Sequence, residues 1–482
     1  MKLRVIGFNK QEWFSNIRSD ILAGLVVGLA LIPESIAFSA IAGVDPQVGL
    51  YASFCIAVSI AFLGGRPAMI SAATGAMALL MITLVKVHGL EYLLAATILT
   101  GMIQVIAGYF QVAKLMRFVS KAVVYGFLNA LAILIFMAQW PEIQYMDSLA
   151  LCLMGIGLIL IYLFPRLPKI GQLIPSPLVC IVVISLIALF LGADVRTVSD
   201  LGQFPDTLPV FLLPDIPLNF ETLTIIFPYA LTLATVGLLE TMMTTSVVDE
   251  MTKTQSDRDR ECRGQGLANI VSGCMGGMAG CAMIGQSIIN VSSGARTRLS
   301  TLVAGVFLLC LVVFFKDWLS YIPMAALVAI MIMVAFTTFQ WDAVKQFQAQ
   351  PKQFNRIMLV VIAMVLLSHN LALGVLVGVL MSALCLVHAL EHTVQVSHTE
   401  CNQQRYYVIR GQIFFSSSQR FFQLFDFHTD VKSVEIDVSQ AQFWDQTALD
   451  MLNKVRDQFE QRGISVKVVG LEQAMHRMLK VS

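Results

Sequence analysis

Charged residues are scarce in this chain. Asp, Glu, Lys and Arg make up only 13% of its 482 residues, whereas they make up about a quarter of an average soluble domain. Hydrophobic residues make up 57% of the sequence, and the mean hydropathy is +0.75. Most of the chain therefore cannot face water. The net charge is +1 and no cluster of basic residues stands out, which argues against nucleic acid as a partner.

Several patterns that would indicate chemistry are missing. The nine cysteines include no CxxC pair and lie mostly within apolar stretches, so we expect them to be small buried hydrophobic residues. The sequence has no nucleophile–base pair, no metal-ligand spacing, no phosphate-binding loop and no Gly-Lys-Ser/Thr motif. It therefore predicts a protein that is not an enzyme, does not use ATP and has no cofactor.

Apolar segments long enough to cross a bilayer recur from about residue 20 to about residue 395. The first contains Pro33 and Glu34 and is followed by many more, so we expect a membrane helix there and not a cleaved signal. The fourteen predicted spans cover residues 20–42, 47–65, 69–86, 92–111, 119–139, 149–164, 176–192, 220–244, 263–279, 282–295, 299–315, 321–339, 355–369 and 371–394.

The charges of the loops predict the orientation of these spans. With a cytoplasmic N-terminus, the inside segments before residue 397 carry nineteen Lys and Arg residues, and the outside segments carry three, Lys86, Arg196 and Lys316. The opposite orientation would invert this ratio. We therefore expect an integral protein of the cell (inner) membrane, surrounded by lipid, with both termini in the cytoplasm.

The spans divide into two sets of seven. The Pro-rich stretch Leu208–Pro217 separates a first repeat, about 20–195, from a second, about 219–396. An odd number of spans per half makes the second half enter the membrane from the opposite side, as in an inverted-topology repeat. Small-residue breaks occur in the third span of each half, at residues 71–76 and 280–285. Such paired breaks indicate a binding site near the middle of the membrane.

The sequence changes character at about His398. Short strand-like runs at residues 406–411, 434–438 and 464–470 alternate with a helical pattern at 448–455. This alternation predicts a small cytoplasmic α/β domain over residues 397–482, after a transmembrane domain over residues 1–396.

These motifs resemble one known family. Ile32–Phe38, Gly49–Ala52 and Gly294–Leu299 are similar to segments of the sulfate permease (SulP) family of anion transporters. Asp437–Ser439 and Asp445–Thr447 are similar to segments of its C-terminal STAS domain. The resemblance implies an α-helical polytopic membrane protein with fourteen spans in a 7+7 inverted repeat, arranged as a core and a gate domain. It also implies a homodimer that carries sulfate, bicarbonate, chloride or a dicarboxylate.

The two small-residue breaks are the candidate anion site. Two half-helix N-termini aimed at one point supply partial positive charge and free N–H groups without a buried Lys or Arg. The residues placed there are Thr74, Gly75, Ala76, Ala282, Met283, Ile284 and Gln286. The alternative is that they are small residues that only pack helices together. The resemblance adds Phe38 to the pocket. Many animal members carry an Arg at position 286, and its absence leaves the helix ends, together with any coupling cation, to hold the anion.

Glu34 and Glu240 lie well inside predicted spans, and carboxylates placed there are functional candidates. In bacterial members an acidic residue at the position of Glu240 is associated with cation coupling, and Thr244 lies one turn later on the same helical face. We expect Glu240 either to take up a proton or, with Thr244 and the carbonyls of Cys281, Ala282 and Met283, to hold sodium. The alternative is a protonated Glu that only joins helices.

Glu34 stands where the wider family commonly has Gln. A carboxylate beside an anion site is a candidate proton carrier; the alternative is a side chain that faces a water-filled vestibule. The charged run at residues 257–261 is predicted to be a solvated cytoplasmic loop, and His88 and His369 to be interfacial. For Thr447 a docking or dimer-regulating role is favoured over phosphorylation, because Gln446 interrupts the usual Asp-Ser pair.

The sequence does not choose among sulfate, bicarbonate and a dicarboxylate, nor between sodium and proton. It favours a cation-coupled symporter that moves its core against its gate in an elevator-like cycle, with a dicarboxylate symporter or an uncoupled exchanger or channel as alternatives.

Overall fold

The structure, a computed structural model, describes residues 10–166, 175–192, 195–202, 208–217, 219–368, 370–401 and 403–471, without the side chain of Arg117. The chain forms two compact units, Met1–Gly378 and Val379–Ser482. His369 lies outside the described residues.

The helices and strands of the first half of the membrane unit follow in chain order. They are α1 (Lys10–Phe14), α2 (Ile17–Ala42), α3 (Pro46–Leu63), β1 (Ser71–Ala73), α4 (Gly75–His88), α5 (Leu90–Tyr109), α6 (Lys121–Tyr145), α7 (Ser148–Leu163) and α8 (Ser176–Phe190). Short 3₁₀ helices occupy Val112–Phe118, Phe164–Arg166 and Val198–Leu201.

The second half has a similar series. It consists of α9 (Phe220–Thr252), α10 (Arg258–Cys274), β2 (Gly280–Ala282), α11 (Ile284–Ser292), α12 (Arg298–Phe314), α13 (Lys316–Ser320), α14 (Met324–Thr338), α15 (Trp341–Lys345), α16 (Lys352–Ser368) and α17 (Leu371–Glu391). The last of these helices crosses the boundary between the two units.

A helix overlaps each of the fourteen segments predicted as spans. Within the described residues, seven helical stretches are long and apolar enough to cross a membrane, and α4, α8, α12 and α14 are shorter apolar helices. Helices α4 and α11 are short because each begins part-way through its predicted segment, after a strand.

The strands β1 and β2 form a buried antiparallel pair that the sequence analysis did not predict. Their register pairs Ser71 with Ala282, Ala72 with Cys281 and Ala73 with Gly280. A Cβ atom at position 280 would run into the carbonyl of Ala72, so only glycine fits this close approach. The pair joins the two small-residue breaks, which lie about two hundred residues apart in the chain.

The helices pack in two groups. In the first, α10 packs against α3 and α5, and α12 packs against α2 and α3. In the second, α6 packs against α14 and α16, and α7 packs against α8 and α14. Close packing in the first group depends on small residues: a Cβ at Gly266 would meet the Gly101 carbonyl of α5 at 2.5 Å.

The charged run at residues 257–261 is not a solvated loop, so that prediction was wrong. Asp257 caps α10 by accepting from the backbone N–H of Arg260 (2.9 Å), and Glu261 is fully buried. The Glu261 carboxylate accepts from the backbone N–H groups of Gly65 (2.6 Å) and Arg66 (2.8 Å). The run reads as solvated in sequence because these backbone partners come from a distant turn.

The described part of the second unit contains a four-stranded sheet and two helices that follow α17. The elements are β3 (Gln395–Cys401), β4 (Gln404–Ile413), α18 (Ser418–Gln423), β5 (Ser433–Phe443), α19 (Gln446–Glu460) and β6 (Ser465–Val469). The sheet order is β3-β4-β5-β6, antiparallel for the first pair and parallel for the others. The predicted strands and helix are confirmed; β3, which begins before residue 397, was not predicted.

The core of this second unit is aromatic. Tyr407, Phe421, Phe443 and Phe459 are almost fully buried, as expected for side chains between a sheet and its covering helices. At its edge, Arg405 donates to Asp426 (3.0 Å), and this hydrogen bond holds the pKa of the Asp426 carboxyl below its usual range.

Candidate binding site

The strand pair positions the N-termini of two helices. Thr74 precedes α4 and Met283 precedes α11, both in extended conformation, and neither side chain caps its helix. The first N–H groups of each helix have no carbonyl one turn back within that helix. In α4 these belong to Gly75, Ala76 and Met77, and in α11 to Ile284, Gly285 and Gln286.

One face of α2 touches both helix N-termini. Phe38 packs against the start of α4, where a Cβ at Gly75 would lie 3.0 Å from Phe38 Cε1. Glu34, one turn earlier on the same face, accepts a hydrogen bond from Gln286 Nε2 of α11 at 2.8 Å. The two N-termini therefore contact side chains that lie one helical turn apart on α2.

The pair Glu34–Gln286 is buried and incompletely hydrogen-bonded. Glu34 is 8% exposed and Gln286 is 4% exposed. Within the described part of the chain, Glu34 Oε2 and Gln286 Oε1 have no hydrogen-bond partner. Since both atoms only accept unless Glu34 carries a proton, the pair leaves two buried acceptors ready for a donor. The sequence analysis named both residues but missed their contact.

Glu240 and Thr244 of α9 both contact residues of β2. The Thr244 hydroxyl lies 2.8 Å from the Glu240 carbonyl and 3.3 Å from the Ala282 carbonyl. The Glu240 carboxylate, the Thr244 hydroxyl and the Ala282 backbone carbonyl thus lie at β2. Oxygen ligands of this kind suit a hard cation.

The Cys281 side chain joins these two parts of the site. Its Sγ donates to Glu240 Oε2 at 2.9 Å and lies 3.1 Å from Thr74 Oγ1. Nothing in the sequence singled out this thiol, because a cysteine in an apolar run reads as a small hydrophobic residue.

Two of the predicted anion-binding residues have committed their backbone N–H groups. Met283 donates to the Ile70 carbonyl (2.9 Å), and Ala282 donates to Thr241 Oγ1 (3.3 Å). The Met283 N–H thus joins the segments of the two strands, and the Ala282 N–H joins β2 to α9. The donors left for a ligand are therefore those of the first turns of α4 and α11.

Three buried amide side chains hold β2 in place: two bond to its backbone, and the third bonds to one of those two. Asn269 donates to the Gly280 carbonyl (3.1 Å) and accepts from the Gly280 N–H (2.9 Å). Gln265 donates to the same carbonyl (3.0 Å), and Gln104 accepts from Asn269 (2.8 Å). The sequence analysis missed these residues, although polar side chains within apolar spans are a usable signal.

A cavity of about 990 Å³ reaches the start of α11. Its lining includes apolar side chains next to the site, among them Met243, Ile284 and Ile288. Charged side chains, among them Lys121 and Arg258, also line it. The helix N-terminus formed by Ile284–Gln286 thus borders open space.

The comparisons with known proteins show the family of this chain. The model of the sulfate permease family matches residues 17–148 and 140–365, and the STAS domain model matches residues 397–482. The chain belongs to the sulfate permease family. It is a membrane protein of a family of anion transporters, with a C-terminal STAS domain, and not an enzyme.

Three relatives illustrate the similarity. "Putative sulfate transporter YbaR" of Bacillus subtilis is 50% identical over 98% of each chain. "Bicarbonate transporter BicA" of a Picosynechococcus is 27% identical, over 75% of this chain and 69% of its own. The solved structure of the murine Slc26a9 anion transporter in the inward-facing state has a TM-score of 0.78 at 17% identity, covering 97% of this chain and 88% of that one. This last likeness concerns the fold alone.

Proposed function

We propose that this protein is a secondary active transporter of small inorganic anions of the sulfate or bicarbonate class. The anion binds between the N-termini of α4 and α11, and a cation travels with it. The observation that carries this proposal is the contact of one α2 face with both helix N-termini, through Phe38 and Glu34. The names of two relatives, a sulfate transporter and a bicarbonate transporter, support the substrate class.

The anion is held by backbone dipoles. Each helix N-terminus carries roughly half a positive charge, and its N–H groups point toward a bound anion. The Thr74 hydroxyl adds a hydrogen-bond donor at the N-terminus of α4, and Gln286 adds an amide group at the N-terminus of α11. An oxyanion is thereby bound without the cost of burying a Lys or Arg in the membrane.

The cation neutralises Glu240. Sodium there would be held by the Glu240 carboxylate, the Thr244 hydroxyl and the Ala282 carbonyl, which lies 3.3 Å from that hydroxyl; a proton would bind the carboxylate alone. Either cation removes a buried negative charge next to the anion, so the two ligands bind better together than separately. Glu34 is a second proton carrier in this proposal, since a proton on Oε2 supplies the donor that the Glu34–Gln286 pair lacks.

Transport follows an elevator-like movement of one helix group against the other. In the predicted topology the cavity next to α11 opens to the cytoplasm, because its lining comes from cytoplasmic ends of helices. The group containing α2–α5 and α9–α12 carries both helix N-termini. It moves against the group containing α6–α8 and α14, so that the site faces each side in turn. The family resemblance supports a homodimer in the cell membrane.

Uptake into proteoliposomes tests this proposal. Labelled sulfate, bicarbonate and fumarate are supplied separately, each with an inward sodium gradient, an inward proton gradient or neither. Glu240→Gln removes the charge at the cation site, and Glu221→Gln is the matched control, since Glu221 is exposed at the other end of α9.

We expect one inorganic anion to be taken up, with stimulation by one gradient that is lost in Glu240→Gln and kept in Glu221→Gln. Uptake that ignores both gradients and the Glu240 substitution would contradict coupling and leave an exchanger or uniporter. Preferential uptake of fumarate would move the substrate to the dicarboxylates.

A further inference from the structure

Three side chains from distant parts of the chain form a line of hydrogen bonds across the site. Thr74 lies at the start of α4, Cys281 in β2 and Glu240 in α9. Cys281 Sγ lies 3.1 Å from Thr74 Oγ1 and 2.9 Å from Glu240 Oε2. All three residues are buried, with exposed fractions of 2%, 0% and 8% respectively. The line connects the candidate anion site to the candidate cation site.

The direction of each bond follows from the number of protons. A thiol has one proton, and Cys281 donates it to the Glu240 carboxylate. The sulfur can therefore only accept from Thr74, whose hydroxyl proton points to Cys281. The Thr74 hydroxyl therefore donates to the Cys281 sulfur for as long as the Cys281 thiol donates to the Glu240 carboxylate.

We propose that Cys281 is a positioning residue that makes anion affinity at the start of α4 depend on the cation at Glu240. The proposal rests on the proposed function, because it assumes a cation at Glu240 and an anion at the first turn of α4. A cation bound at Glu240 competes with the thiol for Oε2. When the thiol loses its acceptor it is free to turn, and the Thr74 hydroxyl becomes available to an anion.

A thiol suits this role because both of its bonds are weak. Sulfur is a weak donor and a weak acceptor, so exchanging partners costs little. The sign of the effect is fixed by linkage: a cation that releases Thr74 raises anion affinity, and an anion that engages Thr74 raises cation affinity by the same factor.

The experiment measures how strongly the cation changes the KM for the anion. Wild type, Cys281→Ala and Cys281→Ser are reconstituted in proteoliposomes with the labelled anion, sulfate or bicarbonate, and the cation that the wild type uses. Cys180→Ala is the matched control, since Cys180 is also fully buried but lies on α8. For each protein the KM is measured at zero and at saturating cation.

In the wild type we expect the cation to lower the KM by about fivefold or more, the usual range of a coupling between sites. In Cys281→Ala the ratio falls by about twofold or more, the worth of one hydrogen bond, because the line of bonds is broken and only the neutralisation of Glu240 still couples the two sites. Cys281→Ser restores most of the ratio, since a hydroxyl also donates one proton and accepts another. Cys180→Ala keeps the wild-type ratio.

A wild-type ratio in Cys281→Ala would overturn the proposal. A wild type whose KM ignores the cation would instead contradict the coupling on which the proposal rests, and this result is read without any variant. Thr74→Val provides a second route, because it removes the hydroxyl at the other end of the line. We expect it to lower the ratio by a similar factor, with no further loss in the double variant with Cys281→Ala; additive losses would show two independent effects and overturn the proposal.

Discussion

The N-termini of α4 and α11 come from corresponding places in the two halves of the membrane unit, but their surroundings differ. At the start of α4, a Cβ at Gly75 would lie 3.0 Å from Phe38 Cε1 and 3.2 Å from Ile135 Cδ1. At the start of α11, a Cβ at Gly285 would meet no atom within 4 Å. The α4 end is thus closed by side chains, and the α11 end lies open beside the cavity.

The polar partners of the two ends differ as well. Thr74 at the α4 end contacts Cys281, which contacts Glu240. Gln286 at the α11 end contacts Glu34, and both leave an oxygen without a partner in the described chain. We infer a division of roles, in which the α4 end senses the cation and the α11 end exchanges ligand with the cavity.

The largest difference between the N-termini of α4 and α11 is expected when a methyl group is added at each of them in turn. Gly75→Ala places the new Cβ against Phe38 and Ile135, and overpacking of this kind costs about 1–3 kcal/mol of stability. Because Phe38 lies at the candidate anion site, strain of this size in the anion-bound state lowers anion affinity roughly tenfold, and uptake falls with it. Gly285→Ala fills open space and should change transport far less. Initial rates of anion uptake, normalised to protein in the vesicles, measure both. Equal effects would remove the distinction between a closed and an open end.

The next largest effect is expected on stability, when the side chains that bond to the two strands are removed. Asn269 holds both the N–H and the carbonyl of Gly280 in β2, whereas Ser53 gives the N–H of Ala73 in β1 a single longer contact of 3.3 Å. Asn269→Leu removes the acceptor of the buried Gly280 N–H and the donor to Gln104, while Gln265 still donates to the Gly280 carbonyl. A buried group left unpaired costs about 1–3 kcal/mol, and Ser53→Ala should cost less. Thermal unfolding in detergent measures the order. A larger loss in Ser53→Ala would show that β1 is the more dependent strand.

Glu34→Gln tests the N-terminus of α11 through the pH dependence of uptake. A proton on Glu34 removes a negative charge near the anion, so we expect wild-type uptake to rise as pH falls. Gln mimics the protonated form, and the variant should keep the low-pH rate, several-fold above the wild type, at high pH. Uptake across a pH series measures this, with Glu221→Gln as control. A wild-type pH profile in Glu34→Gln would show that Glu34 carries no proton in transport.

The smallest effect is expected from Gln286→Ala. The variant removes one neutral donor at the α11 end, a bond worth about 0.5–1.5 kcal/mol, so the KM for the anion should rise about two- to tenfold. Its dependence on the cation should persist, because the line through Cys281 is intact. Loss of that dependence would mean that the α11 end also senses the cation.

Much of the fold could be predicted because the membrane imposes simple requirements. Apolar runs of sufficient length form helices, since backbone groups in lipid must bond within their own segment, and a helix overlaps every predicted segment. The two small-residue breaks and the intramembrane carboxylates were equally visible, since polar or glycine-rich interruptions are rare in such helices. The roles of these residues remain predictions.

The sequence by itself thus determined the helices, the two breaks and the carboxylates Glu34 and Glu240. Only the tertiary structure decided what these residues touch. A three-residue strand carries no periodicity, so the pairing of β1 with β2 is set by helices that bring distant backbones together. The Glu34–Gln286 bond spans 252 positions, and the Cys281 thiol gains its partners from two other elements. Glu261 resembles a surface charge in the sequence, but in the structure it is buried and accepts from two backbone N–H groups. The sequence could not show this, because the donors belong to a turn nearly two hundred residues away.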